Sequence, residues 1–169
     1  MITPAYLHRM ARYNRWQNEN LYGAADPLGE TARRLERGSF FGSIHATLSH
    51  ILWADQIWMS RLSDWQKPGV GITSSTSLFD DWNALKTKRA SADESFIAWA
   101  DTSTQSDIDG DLHWYSGAMG QDMVRAKAIC IMQVFNHQTH HRGQVHAMLT
   151  AAGAKPDDTD IPFMPDAYL

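Results

Sequence analysis

The segment QVFNHQTHHRGQVHAML, residues 133–149, constrains the fold and chemistry of this chain more than any other stretch. It carries His137, His140, His141 and His146, four of the chain's eight histidines. No proline interrupts it, and Val134, Phe135, Val145, Met148 and Leu149 recur at helical intervals, so the pattern predicts a helix. Residues four apart on a helix lie one above the other, with Cβ atoms about 5–6 Å apart. His137 and His141 can therefore converge on one metal ion at about 2.0–2.1 Å from each nitrogen. Two protein ligands rarely hold a catalytic metal, so a third is expected from elsewhere in the chain.

His50, in TLSHILWADQIW, is the best candidate for that third ligand. On this second predicted helix His45, Ser49, Gln56 and Ser60 form a polar stripe, and His50 lies roughly 110° away from it at about 100° per residue. Its neighbours on that side are Ala46, Thr47, Ala54 and Ile57. The ordinary explanation of such a histidine is a buried neutral imidazole bonded to a carbonyl or hydroxyl. The i, i+4 histidine couple on another long helix points to a metal instead.

His140 competes with His141 for the first-ligand role, because residues three apart are also helical neighbours. The companions of His137 and His141 at helical spacing are Cys130, Val134, Val145 and Met148, an inward set. Those of His140 are Gln133, Asn136 and Gln144, a polar set, which places His140 behind the ligands or on the surface. Cys130 lies seven residues from His137, about 10.5 Å along the axis at 1.5 Å per residue, too far to share its ion.

The stretch TLSHILWADQIWMSRL followed by NHQTHHRGQVHAMLTAAG resembles the DinB-like superfamily. This group includes DinB/YfiT-type metal-dependent enzymes and related mycothiol- and bacillithiol-dependent thiol transferases. The resemblance runs from YNRWQNENL at residues 13–21 to PDDTDIPF near the C-terminus, and its most specific part is NHQTHHRGQ at 136–144. It implies an all-α four-helix bundle with long connecting loops, formed as one domain over residues 1–169. It further implies a divalent metal held by one histidine of the second helix and an H-x-x-x-H pair of the last, here His50, His137 and His141. A homodimer is a further implication.

The formal net charge of −4 leaves no electrostatic footprint for nucleic acid, which demands a basic patch or stripe. Cys130 is the only cysteine, so an intramolecular disulfide is excluded and a reducing compartment is expected. The N-terminal residues lack the apolar block of a signal peptide. No stretch approaches the roughly 20 apolar residues of a membrane span. These features predict a cytoplasmic protein whose partner is a small molecule, not a membrane or nucleic acid.

Thr3 and Pro4 make a helix start as cap and first helical residue, with the end expected near Ala25. A polar connection then leads to a second helix over about residues 40–62. Its stripe of Phe41, Ile44, Leu48, Ile51, Asp55, Trp58 and Leu62 is apolar except at Asp55, a carboxylate that must be paired or hydrogen-bonded if buried. Residues 67–77 read as a long loop. A third helix is expected from about 77 or 78 to 99, with a polar middle that is either exposed or locally broken. Residues 102–120 read as loop with a short strand or extended arm at 112–116, and the fourth helix is expected from about 121 to a C′ glycine at Gly153.

Gln138 stands where zinc proteases of the H-E-x-x-H type carry their glutamate, and it cannot take a proton from water. Paired Glu-x-x-His motifs of a di-iron bundle are absent. Three neutral imidazoles leave a metal with its positive charge and an open position, as in catalytic zinc sites. Imidazole also suits nickel, iron and copper; the catalytic-type donor set puts zinc first, with nickel or iron as alternatives. With water in the open position the site is a hydrolase of amides or esters. With a low-molecular-weight thiol it is an S-transferase acting on a small electrophile, the outcome the resemblance favours. A third reading is a non-catalytic, stress-associated metal-binding protein. Arg142, next to the metal pair, is a candidate to hold an acidic thiol cofactor or substrate, unless it only pairs with Asp55 or Asp122.

Overall fold

The computed structural model describes residues 1–169 and is mostly helical. Four long helices dominate: α1 (Pro4–Ala25), α3 (Ile44–Leu62), α4 (Trp82–Thr102) and α6 (Lys127–Ala151). Two short helices, α2 (Gly29–Arg34) and α5 (Gln105–Ile108), occupy the connections. Strands β1 (Asp111–Ser116) and β2 (Gln121–Ala126) form an antiparallel hairpin, with Trp114 opposite Met123. Helix α1 packs against α4 and α6, while α3 packs mainly against α6. No helix is long and apolar enough to cross a membrane.

Local chemistry explains where the elements begin and end. The Thr3 side chain accepts from the Tyr6 amide, with Pro4 at the start of α1, and the helix ends at Ala25 as expected. The second long helix starts at Ile44 instead of near 40. Gly42 there takes a positive φ of 77° in a tight turn bridged to Ser39, and Ser43 caps the helix through the Ala46 amide. Asp81 likewise caps α4 through the Ala84 amide, so that helix begins at Trp82 and residues 72–77 form a separate 3-10 segment. The largest departure is at the fourth long helix. Residues 121–126 do not belong to it but pair with β1, and α6 starts only at Lys127. A helix was expected there because no proline intervenes, yet the Gly120 turn, with φ 66°, lets Val124 and its neighbours fold back as a strand. At the far end Gly153, with φ 82°, is the C′ glycine expected of it.

The core has two large apolar clusters stacked along the helices. One gathers Leu21, Ile44, Leu48, Ile51, Leu85, Val145 and Leu149, and the other Leu7, Ala11, Met59, Phe96, Ile131 and Phe135. Every long helix passes between them through a buried polar step: Asn14 and Asn18 on α1, Asp55 on α3, Arg89 and Asp93 on α4, Gln138 and Arg142 on α6. Arg89 Nη1 lies 2.5 Å from Asp55 Oδ2, and Arg89 Nη2 lies 2.8 Å from Asp93 Oδ1. Asn18 donates to Asp93 at 2.8 Å and Gln138 donates to the other Asp55 oxygen at 2.8 Å. Asn14 donates to Gln138 and accepts from Arg142 Nη1 at 2.6 Å. The polar middle of the third long helix is thus neither broken nor wholly exposed, since Arg89 and Asp93 turn inward from an unbroken α4.

A buried ion pair that loses one partner leaves an uncompensated charge, at a cost of about 3–5 kcal/mol. Asp55→Ala is therefore expected to destabilise the protein by about that amount in urea unfolding. Arg89→Met should cost at least as much, because it strands two carboxylates. A loss within the ±0.5 kcal/mol typical of surface changes in either variant would show the pair contributes nothing.

Candidate metal centre

His50 faces α6 from one turn above Asp55 and is 4 % exposed. Its Nδ1 lies 2.9 Å from the hydroxyl of Ser75, in the 3-10 segment Ile72–Ser77. That segment is pinned along α3 by Ser49, whose hydroxyl donates to the Ser75 carbonyl at 3.0 Å and accepts from the Leu78 amide at 3.1 Å. With Nδ1–H donated to Ser75, His50 presents an unprotonated Nε2 to α6. On α6, His137 and His141 lie one turn apart and meet edge to face, with ring centroids 4.4 Å from each other. Gln144 Oε1 accepts from His141 Nδ1 at 2.8 Å, which leaves the His141 Nε2 lone pair free in the same way.

The structure therefore brings His50, His137 and His141 together as a group that could hold a metal ion, with ligand atoms all within 4.8 Å of one another. The Nε2 atoms of His50 and His137 are 3.2 Å apart. That is the separation of two nitrogens each about 2.0–2.1 Å from a common ion at a near-tetrahedral angle. Two such nitrogens can be at most about 4.2 Å apart, so with all three within 4.8 Å of one another the cluster needs at most a small side-chain rotation to close on one ion. The donor set fits a divalent ion of the zinc, nickel or iron type, and no fourth side chain joins it.

Electrostatics keeps these imidazoles in the form that ligates. Burial, and then the neighbouring imidazoles His137 and His141, push His50 down to about 3. Burial followed by His141 and His140 lowers His137 to about 4. Burial also lowers His141, partly offset by its bond to Gln144. At neutral pH all three are uncharged.

Phe41 and Trp53 flank His50. Phe41 is presented by the Ser39–Gly42 turn and lies 3.9 Å from the His50 ring and 5.1 Å from that of His141, centroid to centroid. Trp53 stacks at 5.9 Å on His50 and anchors itself by donating to the Val70 carbonyl. The phenyl ring walls the cluster without supplying a ligand atom.

His140 is exposed; it bonds to the Gln144 amide at 3.3 Å and lies edge-on to the His141 ring at 4.8 Å, centroid to centroid, outside the clustered ligand atoms. Gln138, between the two paired histidines, points into the core at Asp55 and away from the cluster. Cys130 is buried and outside the group. Arg142 turns to α1: it bonds to Asn14 and to Thr139 Oγ1 at 3.3 Å and lies 5.5 Å from the Tyr13 ring. Neither Asp55 nor Asp122 pairs with it; Asp55 is taken by Arg89, and Asp122 is exposed on the hairpin. Ser75, Gln144 and Phe41 escape a reading of the sequence as site residues. Only Gln144, three residues from His141, carried a signal in its spacing.

A sequence model of the DinB family matches residues 1–168, and the chain belongs to that family. A solved structure of a DinB-like protein from Bacillus cereus ATCC 10987 superposes with a TM-score of 0.61 at 19% identity, covering 85% of this chain and 90% of that one. The likeness at this identity establishes the shared fold. No curated protein matches the chain.

Because folding holds His50 and His137 below the ordinary histidine value of about 6.5, the unfolded chain takes up protons first on acidification. Stability of the metal-free protein is thus full above about pH 6.5 and falls as the pH drops towards 4. Urea midpoints measured in chelator at pH 7.5 and 4.5 should show this loss, and His50→Gln should reduce it. An undiminished loss in that variant would mean that burial of His50 is not its source.

Proposed function

We propose that this DinB-family protein is a metal-dependent thiol S-transferase acting on a small electrophile, built on a four-helix bundle, with His50, His137 and His141 as ligands. The observation that carries the reading is the convergence of three neutral imidazoles, two of them only 3.2 Å apart at Nε2, with no fourth protein ligand. Zinc is the first choice of ion, before nickel or iron, and when bound it supplies a Lewis acid that lowers the pKa of the group taking its open position.

The chain's own side chains supply orientation and exclusion. Ser75 and Gln144 fix the His50 and His141 rings, and such outer partners typically carry a 10–100-fold share of metal affinity. Phe41 and Trp53 keep one side dry and offer aromatic surface to an apolar electrophile. Gln138 is turned away, so the position between the paired histidines places no general base at the cluster. That absence favours a nucleophile that needs only ionisation, a thiol, over a water that must be deprotonated and steered. In the transfer, the sulfur forms a bond to carbon, the leaving group departs with its electron pair, and the thiol proton passes to solvent.

Metal content per chain is expected to collapse in His50→Ala, His137→Ala and His141→Ala and to persist in His140→Ala; Ser75→Ala should weaken affinity about 10–100-fold. Equal loss from His140→Ala and His141→Ala would show that the register separating their roles is wrong. Cellular thiols supplied with a chromogenic electrophile should be consumed by the wild type and not by His50→Ala. Ester or amide hydrolysis without any thiol would instead establish the hydrolase, and metal binding without turnover a storage or sensing role. The reading also includes a cytoplasmic homodimer, the commonest oligomer, for which the exposed Tyr115, Met119 and Val124 of the hairpin offer apolar surface. Light scattering at micromolar concentration should return twice the chain mass.

A further inference from the structure

On the side of α6 facing α1 lies a cavity of about 240 Å³, lined by Arg142, Gly143, Thr139 and His146 of α6 and by Tyr13 and Gln17 of α1. None of the three clustered histidines lines it. Two features of this cavity lack a purpose within the protein. The first is Arg142, only 4 % exposed and without any ion pair. A guanidinium carries five N–H donors, and this one directs Nη1 at Asn14 and Nη2 at Thr139, both neutral acceptors. Its Nε finds no acceptor and, unlike the Nε of Arg33, Arg37 and Arg89, is not sealed from solvent. Of the nearby carboxylates, Asp55 and Asp93 are committed to Arg89 and Asp158 to the amides of Thr159 and Asp160, while the exposed Asp160 acts on Tyr13 without pairing with Arg142. The excess negative charge of the Asp55–Arg89–Asp93 cluster favours the Arg142 guanidinium through space, but the two are joined by hydrogen bonds only through Gln138 and Asn14, with no ion pair.

The second feature is Gly143. Glycine in a helix interior destabilises it relative to alanine, and Gly143 sits eight residues before the end of α6. A Cβ there would meet nothing within 4 Å. No neighbouring helix needs the space, in contrast to the close backbone approach that usually explains such a glycine. What the missing side chain does is leave the helix surface beside Arg142 bare, at the cavity.

We propose that this cavity is a second ligand site, distinct from the histidine cluster, which takes a small oxyanion of the carboxylate or phosphate type. The anion would accept from the free Arg142 donors, the geometry in which a planar fork recognises two oxygens at once. Thr139 and His146 stand at the same cavity as further donors, and the body of the ligand would lie over Gly143. Arg142 and His141 are neighbours in sequence but project about 100° apart on the helix, so occupancy of this site needs no metal.

The test uses the full-length, metal-free protein, ¹⁵N-labelled, titrated separately with inorganic phosphate and with acetate against chloride at matched ionic strength. At least one of the two anions should shift the Arg142 Nε–H and Gly143 amide signals to saturation, and which one does so identifies the ligand class. Gly143→Leu, whose side chain fills the cavity, should abolish the saturable shift while leaving metal content intact. Arg142→Lys, which keeps the charge but not the fork, should weaken it. His50→Ala should lose metal and retain the anion response, so the two sites fail independently. Drift without saturation for both anions, a saturable response that survives Gly143→Leu, or one that disappears in His50→Ala would each overturn the proposal.

Discussion

Buried charge at the middle of the helices is the constraint on which the rest of this structure depends. Asp55, Arg89 and Asp93 are all at most 3 % exposed, and taking each such group out of water costs several kcal/mol. They are tolerable only where their oxygens and nitrogens meet, and that condition is met by one arrangement of α1, α3, α4 and α6. Apolar layers above and below accept substitution and some sliding as long as volume is kept. A layer of directed hydrogen bonds does not. Asn14, Asn18 and Gln138 extend the layer to α1 and α6, so all four long helices are held at a common height by polar contacts.

The histidine cluster inherits its geometry from this layer. The bond from Gln138 to Asp55 sets α6 against α3. Once it is made, His137 and His141, one residue before and three after Gln138, fall opposite His50, five residues before Asp55. The glutamine that stands in the place of a catalytic glutamate is thus a structural connector, and the same turn of α6 serves two faces. His141 looks to α3 and Arg142 to α1, where it meets Asn14 and the Tyr13 ring.

The connections complete what the helices begin. The Gly42 turn carries Phe41 over two imidazoles, and the 3-10 segment brings the Ser75 hydroxyl to the third side of His50. Both are irregular segments fastened to a rigid frame, the usual way a protein places groups that act on a ligand. The hairpin joins the frame through Trp114, which packs edge-on against Trp58, with the Arg61 guanidinium over both rings.

Much of the helical architecture was legible in the chain because its signals are local. Caps at Thr3 and Gly153, the periodic apolar residues and the i, i+4 spacing of His137 and His141 each follow from a few neighbouring residues. The anomaly of Asp55 on an apolar stripe was visible too, but its partners were not, since Arg89 and Gln138 are 34 and 83 residues away. The same limit hid the first six residues expected in the last helix, whose pairing with β1 outweighed their freedom from helix breakers. It also hid Ser75, in a loop without periodicity, and Phe41, which the apolar stripe assigns to a helix that in fact starts only at Ile44. Sequence alone determined which residues were able to form helices and which side chains were able to ligate. Tertiary packing decided which faces met, because burying Asp55, Arg89 and Asp93 together admits a single register, and that register set His50 before His137 and turned Arg142 away.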